Sequence, residues 1–158
     1  MRLPTRGTLV LCVGLVAVAV STRWVRLNIS PSVPLGLYVL RPVRARVHRG
    51  DLVVVPVPLS VQHVWSRWIP LLKPVAAVAG DVVCSSDTTL SVHDADYGPI
   101  FQDANGMPLP HIAIGCQVIP EGALFLASPI VRSVDSRYYG AVRATDIAAV
   151  AFPIAIWR

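Results

Sequence analysis

The sequence predicts a mainly β protein that follows a short, apolar N-terminal segment. The 158 residues include 14 prolines and 10 glycines, and after Leu27 the apolar residues occur in short β-branched runs without long helical periodicity. Apolar residues make up 54% of the chain and the mean hydropathy is +0.59, values too high for a disordered chain and high for a soluble domain. We therefore divide the chain into a membrane anchor with basic flanks, residues 1–27, and a β-rich domain, residues 28–158.

The anchor is predicted from Leu9–Val20, an apolar run with arginines on both sides. A bilayer span usually needs about 20 residues, but the side chains of Arg6 and Arg23 can reach outward and lengthen this shorter segment. The alternative is a cleaved signal peptide with Ala17–Ala19 as its small-residue cleavage site. The arginines on the two sides nearly balance, so the sequence leaves the orientation open.

The β-rich domain contains several short apolar runs that end at glycine, proline or polar residues. They predict strands at Gly36–Leu40, Asp51–Val57, Leu72–Val78, Val82–Ser85, Thr89–His93, Ala123–Ser128 and Ile147–Ile156, the last broken at Pro153. We predict a helix over Ser60–Trp68, and loops and a turn over Asp94–Pro110, where glycine and proline are frequent.

The formal charge of +5 does not indicate nucleic-acid binding, because eight of the 14 lysines and arginines lie in two groups. These groups are Arg2, Arg6, Arg23 and Arg26 beside the anchor, and Arg41, Arg44, Arg46 and Arg49 in one cluster. The other six cations (14 minus 8) are outnumbered by the nine acidic residues of the chain. The sequence also lacks the pattern of a basic groove with interleaved aromatic residues. Three cysteines without CxxC or HExxH spacing predict neither a metal site nor a cofactor.

Lys73 is the only lysine in the chain, and it is the only polar residue in Ile69–Ala79. A lysine in apolar surroundings can lose its proton near neutral pH because burial disfavours the ammonium, whereas arginine stays charged. Lys73 is therefore a candidate general base. The alternative is a lysine whose ammonium group reaches the surface.

Ser32 lies in the proline-rich segment Asn28–Tyr38, where Pro31 and Pro34 favour an extended backbone. Such stiffness would hold a nucleophilic hydroxyl in position for attack. The alternative is a linker that separates the domain from the membrane.

Ser133, Asp135 and Arg137 form the third candidate group. In an extended segment these residues would share one face. An ion pair between Asp135 and Arg137 could support the site while the Ser133 hydroxyl orients the Lys73 amine. The alternative is a turn with a surface ion pair, which contributes little.

Six segments, taken in order, resemble the type I signal peptidases, and above all their TraF-type conjugative-transfer branch. The segments are Ser32–Tyr38, Arg49–Val55, Leu72–Cys84, Gly106–Pro110, Val118–Ser128 and Ser133–Gly140. The resemblance implies an antiparallel β-sheet catalytic domain with one N-terminal transmembrane helix. One departure is Pro74, where the family usually has arginine. Proline removes a backbone donor, so we expect an edge strand or a local bend there.

The resemblance also implies a role for each candidate residue. Ser32 would be the nucleophile and Lys73 the general base, and the Ser32 N–H and the Ser30 hydroxyl would form the oxyanion hole. Ser133 would position the lysine amine, with Asp135 and Arg137 as the supporting pair. A catalytic domain outside the cytoplasm, as the family has, also favours a disulfide between Cys84 and Cys116.

The implied function is a membrane-anchored serine endopeptidase with a Ser-Lys dyad and no cofactor. It would be a single-pass protein of the inner membrane whose catalytic domain faces the periplasm. Its partners would be the lipid bilayer, an exported precursor such as a conjugative or type IV secretion pilin, and other components of that apparatus. Cleavage could be followed by cyclisation, which occurs in some members of the branch. The alternatives are a general leader peptidase and a non-catalytic β-domain tethered to a secretion apparatus.

Overall fold

The prediction of a mainly β protein is confirmed by the computed structural model, which describes residue 7 and residues 24–62, 66–93, 95–101, 106, 109–130 and 132–157. Its strands are β1 (Val25–Asn28), β2 (Leu35–Arg41), β3 (Leu52–Val55), β4 (Leu71–Val78), β5 (Val82–Ser85), β6 (Thr89–Val92), β7 (Ala95–Pro99), β8 (Gly115–Val118), β9 (Ala123–Leu126), β10 (Val142–Arg143) and β11 (Ala149–Trp157). A short helix, α1 (Ser136–Tyr139), and two 3-10 turns, Leu59–Val61 and Ala144–Asp146, complete the described elements.

The predicted anchor at Leu9–Val20 lies outside the described residues. Among the residues that are described, no helix has the length and apolar character needed to cross a membrane. The anchor therefore stays a prediction. The first described strand, β1, begins at Val25 and pairs with β2 over its whole length.

Seven strands form the larger sheet, in the order β1-β2-β11-β3-β4-β9-β10, and every pairing in it is antiparallel. The central strand β3 is β-branched and buried on both faces, with Val53 fully buried and Val54 and Val55 nearly so. Core clusters therefore form on both sides of the sheet, one around Val53 and Val55 and the other around Val54. β4 lies next to β3, which places Lys73 at the middle of the sheet and between two core layers.

Pro74 does not make β4 an edge strand, because β4 pairs with β3 on one side and with β9 on the other. The local bend is present instead, since the register of β4 with β9 shifts between Val75 and Ala77. The Pro74 carbonyl still accepts a hydrogen bond from the Ala127 N–H, at 3.2 Å. An irregularity beside the proline thus lets β4 stay inside the sheet.

Four strands form the smaller sheet, in the order β7-β6-β5-β8. It shares a core with the larger sheet, in which Leu90 of β6 and Phe125 of β9 are fully buried. Cys84 in β5 lies opposite Cys116 in β8, and the two form a disulfide. The prediction of loops over Asp94–Pro110 is wrong for Ala95–Pro99, which forms β7. Pairing with β6 makes Ala95–Pro99 a strand despite its glycine and proline, with a register shift in β6 beside it.

The predicted helix over Ser60–Trp68 is wrong for the described part of that segment. A 3-10 turn ends at Val61, and turn residues follow at Gln62 and again at Arg67 and Trp68. Leu59 and Trp68 are 84% and 78% exposed, so among the described apolar side chains of this region these two give a short helix little packing to stabilise it.

Candidate active site

Ser32 lies in the turn between β1 and β2, and Asn28 at the end of β1 holds that turn. The Asn28 side-chain amide donates to the carbonyls of Ser30, Val33 and Pro34, at 2.8, 3.2 and 3.1 Å. Its side-chain oxygen accepts from the Ser30 N–H at 3.3 Å. A buried amide with three carbonyl partners fixes the backbone on both sides of Ser32. The linker interpretation is therefore wrong for this segment, which is part of the folded domain.

Lys73 reaches Ser32 from the middle of β4. Its Nζ lies 2.7 Å from the Ser32 Oγ and 2.8 Å from the Ser133 Oγ, and the residue is only 3% exposed. The ammonium therefore does not reach the surface, and that alternative is wrong. The structure brings together three predicted site residues that are 41 and 60 positions apart in sequence.

Burial lowers the pKa of Lys73 from 10.5 to about 8. Loss of solvent is the largest cause, Asp135 opposes the shift, and Arg137 adds to it. At pH 7.5, a pKa of about 8 leaves roughly a quarter of the lysine neutral, compared with roughly one part in a thousand at 10.5. The site thus has a neutral amine available within hydrogen-bonding distance of a serine hydroxyl.

Asp135 and Arg137 form a fully buried ion pair. Asp135 caps α1, and both of its carboxylate oxygens accept from the Arg137 guanidinium, at 2.8 and 3.2 Å. The surface ion-pair interpretation is therefore wrong. The expectation that Ser133, Asp135 and Arg137 share one face of an extended segment is also wrong, because Asp135 begins a helix turn that contains Arg137.

Ser128 connects the buried ion pair to the turn that carries Ser32. Its Oγ donates to the Ser32 carbonyl at 2.6 Å, and its N–H donates to an Asp135 carboxylate oxygen at 3.1 Å. Its carbonyl accepts from the Arg137 guanidinium at 2.7 Å. Asp135 and Arg137 thus support Ser32 through Ser128 and do not contact it directly.

Sequence reasoning assigned no role to Asn28 or Ser128. Ser128 ends one of the segments that carry the family resemblance, and Asn28 begins the proline-rich segment around Ser32. These positions were the only available signal. Their contacts are mostly with backbone carbonyls, which depend on the folded path of the chain.

Ser30 lies beside Ser32 in the same turn, and their hydroxyls share a hydrogen bond of 3.1 Å. Within the described part of the chain, no group accepts from the Ser32 N–H. A backbone N–H and a neighbouring hydroxyl next to one serine Oγ can together bind the oxyanion of a tetrahedral intermediate.

Two cavities meet at Ser32. We call the larger one the apolar cleft. It measures about 720 Å³, and none of the residues lining it is charged; they include Pro31, Val33, Leu52, Ile130 and Trp157. We call the smaller one the cationic recess. It measures about 50 Å³, and Arg26, Ser30, Lys73 and Arg132 line it together with Ser32.

Comparison with known proteins assigns the family. Residues 4–157 match the family model described as signal peptidase, peptidase S26. This chain belongs to the signal peptidase family. Members of peptidase family S26 are serine peptidases. The Ser32 hydroxyl, hydrogen-bonded to the Lys73 amine, fits the chemistry of the family.

Curated relatives support the same assignment. The chain is 33% identical over 144 residues to a conjugal transfer protein TraF of Agrobacterium fabrum, covering 82% of this chain and 81% of the relative. A probable conjugal transfer protein TraF of Sinorhizobium fredii is 31% identical, with 80% and 74% covered. Among solved structures, a signal peptidase I of Enterococcus faecalis is 18% identical and has a TM-score of 0.42, with 67% of this chain and 97% of that chain covered.

Proposed function

We propose that this signal peptidase is a membrane-anchored serine endopeptidase in which Ser32 is the nucleophile and Lys73 the general base. The observation that carries the proposal is the hydrogen-bonded series Ser32–Lys73–Ser133, buried beside the turn that Asn28 holds. A base must lie within hydrogen-bonding reach of the proton that it accepts and must be deprotonated at the working pH. Lys73 lies within reach of the Ser32 hydroxyl, and with a pKa of about 8 roughly a quarter of it is deprotonated at pH 7.5.

The reaction follows from these positions. Neutral Lys73 accepts the proton of the Ser32 hydroxyl as the Oγ attacks the scissile carbonyl, and the Ser32 N–H and the Ser30 hydroxyl stabilise the oxyanion. The Lys73 ammonium then returns the proton to the leaving amine, and an acyl ester of Ser32 remains. Water resolves the ester by hydrolysis, whereas an amine of the same substrate would resolve it by cyclisation.

We propose an exported precursor as the substrate, and specifically a pilin of a conjugative or type IV secretion apparatus. The relatives named conjugal transfer protein TraF support a role in conjugation. In this proposal the anchor holds the domain at the periplasmic face of the inner membrane, and other components of the apparatus are partners. The disulfide between Cys84 and Cys116 is compatible with an oxidising compartment.

The test is co-expression of a candidate pilin precursor with the full chain, followed by intact-mass measurement of the pilin. We expect a shortened pilin with the unmodified enzyme and with Ser91→Ala, which removes a serine hydroxyl from the smaller sheet. Ser32→Ala should leave the precursor at full length. A cyclic product would be lighter than the linear one by one water molecule.

The same experiment separates the alternatives. Processing of an unrelated exported precursor at a comparable rate would favour a general leader peptidase. A shortened pilin in the Ser32→Ala strain, when a strain lacking the protein leaves the pilin at full length, would instead favour a non-catalytic β-domain and would contradict the proposal.

A further inference from the structure

The cationic recess carries an unbalanced positive charge directly beside Ser32. Arg26, Lys73 and Arg132 line it, and no acidic residue is among its lining residues. The apolar cleft on the other side of Ser32 has no charged lining residue of either sign. The two sides of the reaction centre therefore differ in the side chains that they can accept.

Arg26 projects from β1 into this recess and is partly withdrawn from water, which lowers its pKa. One of its guanidinium nitrogens donates to the Pro70 carbonyl, and this is the only hydrogen bond or ion pair of its side chain among the described residues. A half-buried guanidinium normally has a carboxylate partner, because desolvation disfavours an unpaired charge. Here the described part of the chain supplies none.

Arg132 also lines the recess, one residue before Ser133, and it is exposed. Among the described residues it makes no hydrogen bond or ion pair. Arginine presents donors in a planar fork that matches a carboxylate. Arg26 and Arg132 thus offer two guanidinium groups at the sides of one small space.

We propose that Arg26 and Arg132 bind a carboxylate of the substrate. Both arginines line the same small recess as Ser32. Because an extended chain advances about 3.3 Å per residue, the carboxylate would lie within about three residues of the scissile bond. This inference rests on the proposed function and adds a specificity that the family resemblance does not imply. The carboxylate pairs with the arginines and not with Lys73, because Lys73 is 3% exposed and already bonded to two hydroxyls.

The test measures binding separately from cleavage. Fluorescent alanine-rich peptides, each with one Asp or one Asn at the same position, are titrated onto the full-length Ser32→Ala variant in detergent, and fluorescence polarisation gives the affinity. We expect Asp at one position to bind about tenfold tighter than Asn, the effect of one partly desolvated ion pair. The unmodified enzyme is then incubated with the same peptides, and mass spectrometry locates the cut.

Charge reversal provides the decisive comparison. Arg132→Glu in the Ser32→Ala background should remove the preference for Asp and create one for Lys at the same position. Arg44→Glu changes the net charge equally, but Arg44 lines a different cavity, so this variant should keep the preference for Asp.

The inference is overturned if no position prefers Asp, or if Arg44→Glu and Arg132→Glu have equal effects. Either result would leave the proposed function intact wherever the unmodified enzyme still cuts the peptides. Binding with the predicted preference but no cleavage of any peptide would instead contradict the proposed function alone.

Discussion

A buried ion pair, Asp135–Arg137, and a buried lysine, Lys73, differ in how their charges are compensated in this protein. The Asp135 carboxylate and the Arg137 guanidinium neutralise each other with no exposed surface. The Asp135 oxygens accept from Arg137 and from the Ser128 N–H, and the Arg137 guanidinium also donates to the carbonyls of Pro99 and Ser128. Lys73 is nearly as buried, but both of its hydrogen-bond partners are neutral hydroxyls.

The difference supports the proposed role of Lys73 as a base. A carboxylate paired directly with Lys73 would stabilise the ammonium and raise its pKa. Arg137 occupies both oxygens of the nearest carboxylate and adds a positive charge of its own. Desolvation of Lys73 is therefore left largely uncompensated, and its pKa falls to about 8. The ion pair is neutralised within the fold, whereas Lys73 has no carboxylate partner, as the proposed function requires of a base.

The largest expected effect is that of replacing Lys73 with arginine. Lys73→Arg keeps a positive charge but removes the base, so cleavage should fall at least about 10⁴-fold, as for loss of a general base in a serine peptidase. Rates of precursor cleavage measure the effect, and Lys73→Met should lose activity equally. Urea unfolding of both variants shows whether they remain folded. Substantial cleavage by a folded Lys73→Arg variant would contradict the role of Lys73.

Removing Arg137 should change stability more than any other substitution near the site. Arg137→Met leaves Asp135 buried without its counterion, so the free energy of unfolding should fall by about 3–5 kcal/mol. The double variant Asp135→Asn, Arg137→Met removes both charges and should recover part of that loss. Urea titration at pH 7 measures both. A double variant no more stable than Arg137→Met would contradict the charge explanation.

Ser133→Ala should have a smaller effect on activity. The Lys73 amine would lose the hydroxyl that holds it at 2.8 Å, and a misplaced base lowers the rate by about 10²-fold. The loss should appear in kcat and not in KM, because Ser133 does not line either cavity at Ser32. Steady-state kinetics on a cleaved peptide measures this, with Ser91→Ala as the matched control. A change confined to KM would assign Ser133 to substrate binding.

Much of the fold and the central pair of residues could be predicted from the sequence. Lys73 was recognisable because it is the only lysine and lies in an apolar segment, and burial in the middle of β4 follows from that pattern. β1 was missed although Val25 and Leu27 alternate with Arg26 and Asn28, as in a strand. The burial of β1 is the reverse of what its residue types suggest, since the apolar Val25 and Leu27 are exposed and the polar Asn28 is buried.

The rest depends on contacts between distant parts of the chain. β8 is exposed at every residue, so it lacks the alternation of buried and exposed positions by which a strand is recognised. Pairing with β5 and the disulfide hold it in place. The contact of Ser128 with the Ser32 carbonyl joins residues 96 positions apart. Such bonds to backbone atoms have no signature in residue type or spacing.

The proton affinity of Lys73 can be measured directly because the chain has no other lysine. Lysine labelled with ¹³C and ¹⁵N in the side chain gives a single set of side-chain NMR signals, and these can be followed as the pH is raised. We expect a titration midpoint of about 8 in the folded protein, and a return toward 10.5 when urea unfolds the chain. A midpoint near 10.5 in the folded protein would mean that the lysine is an ordinary ammonium at neutral pH, and this would contradict its proposed role as the base.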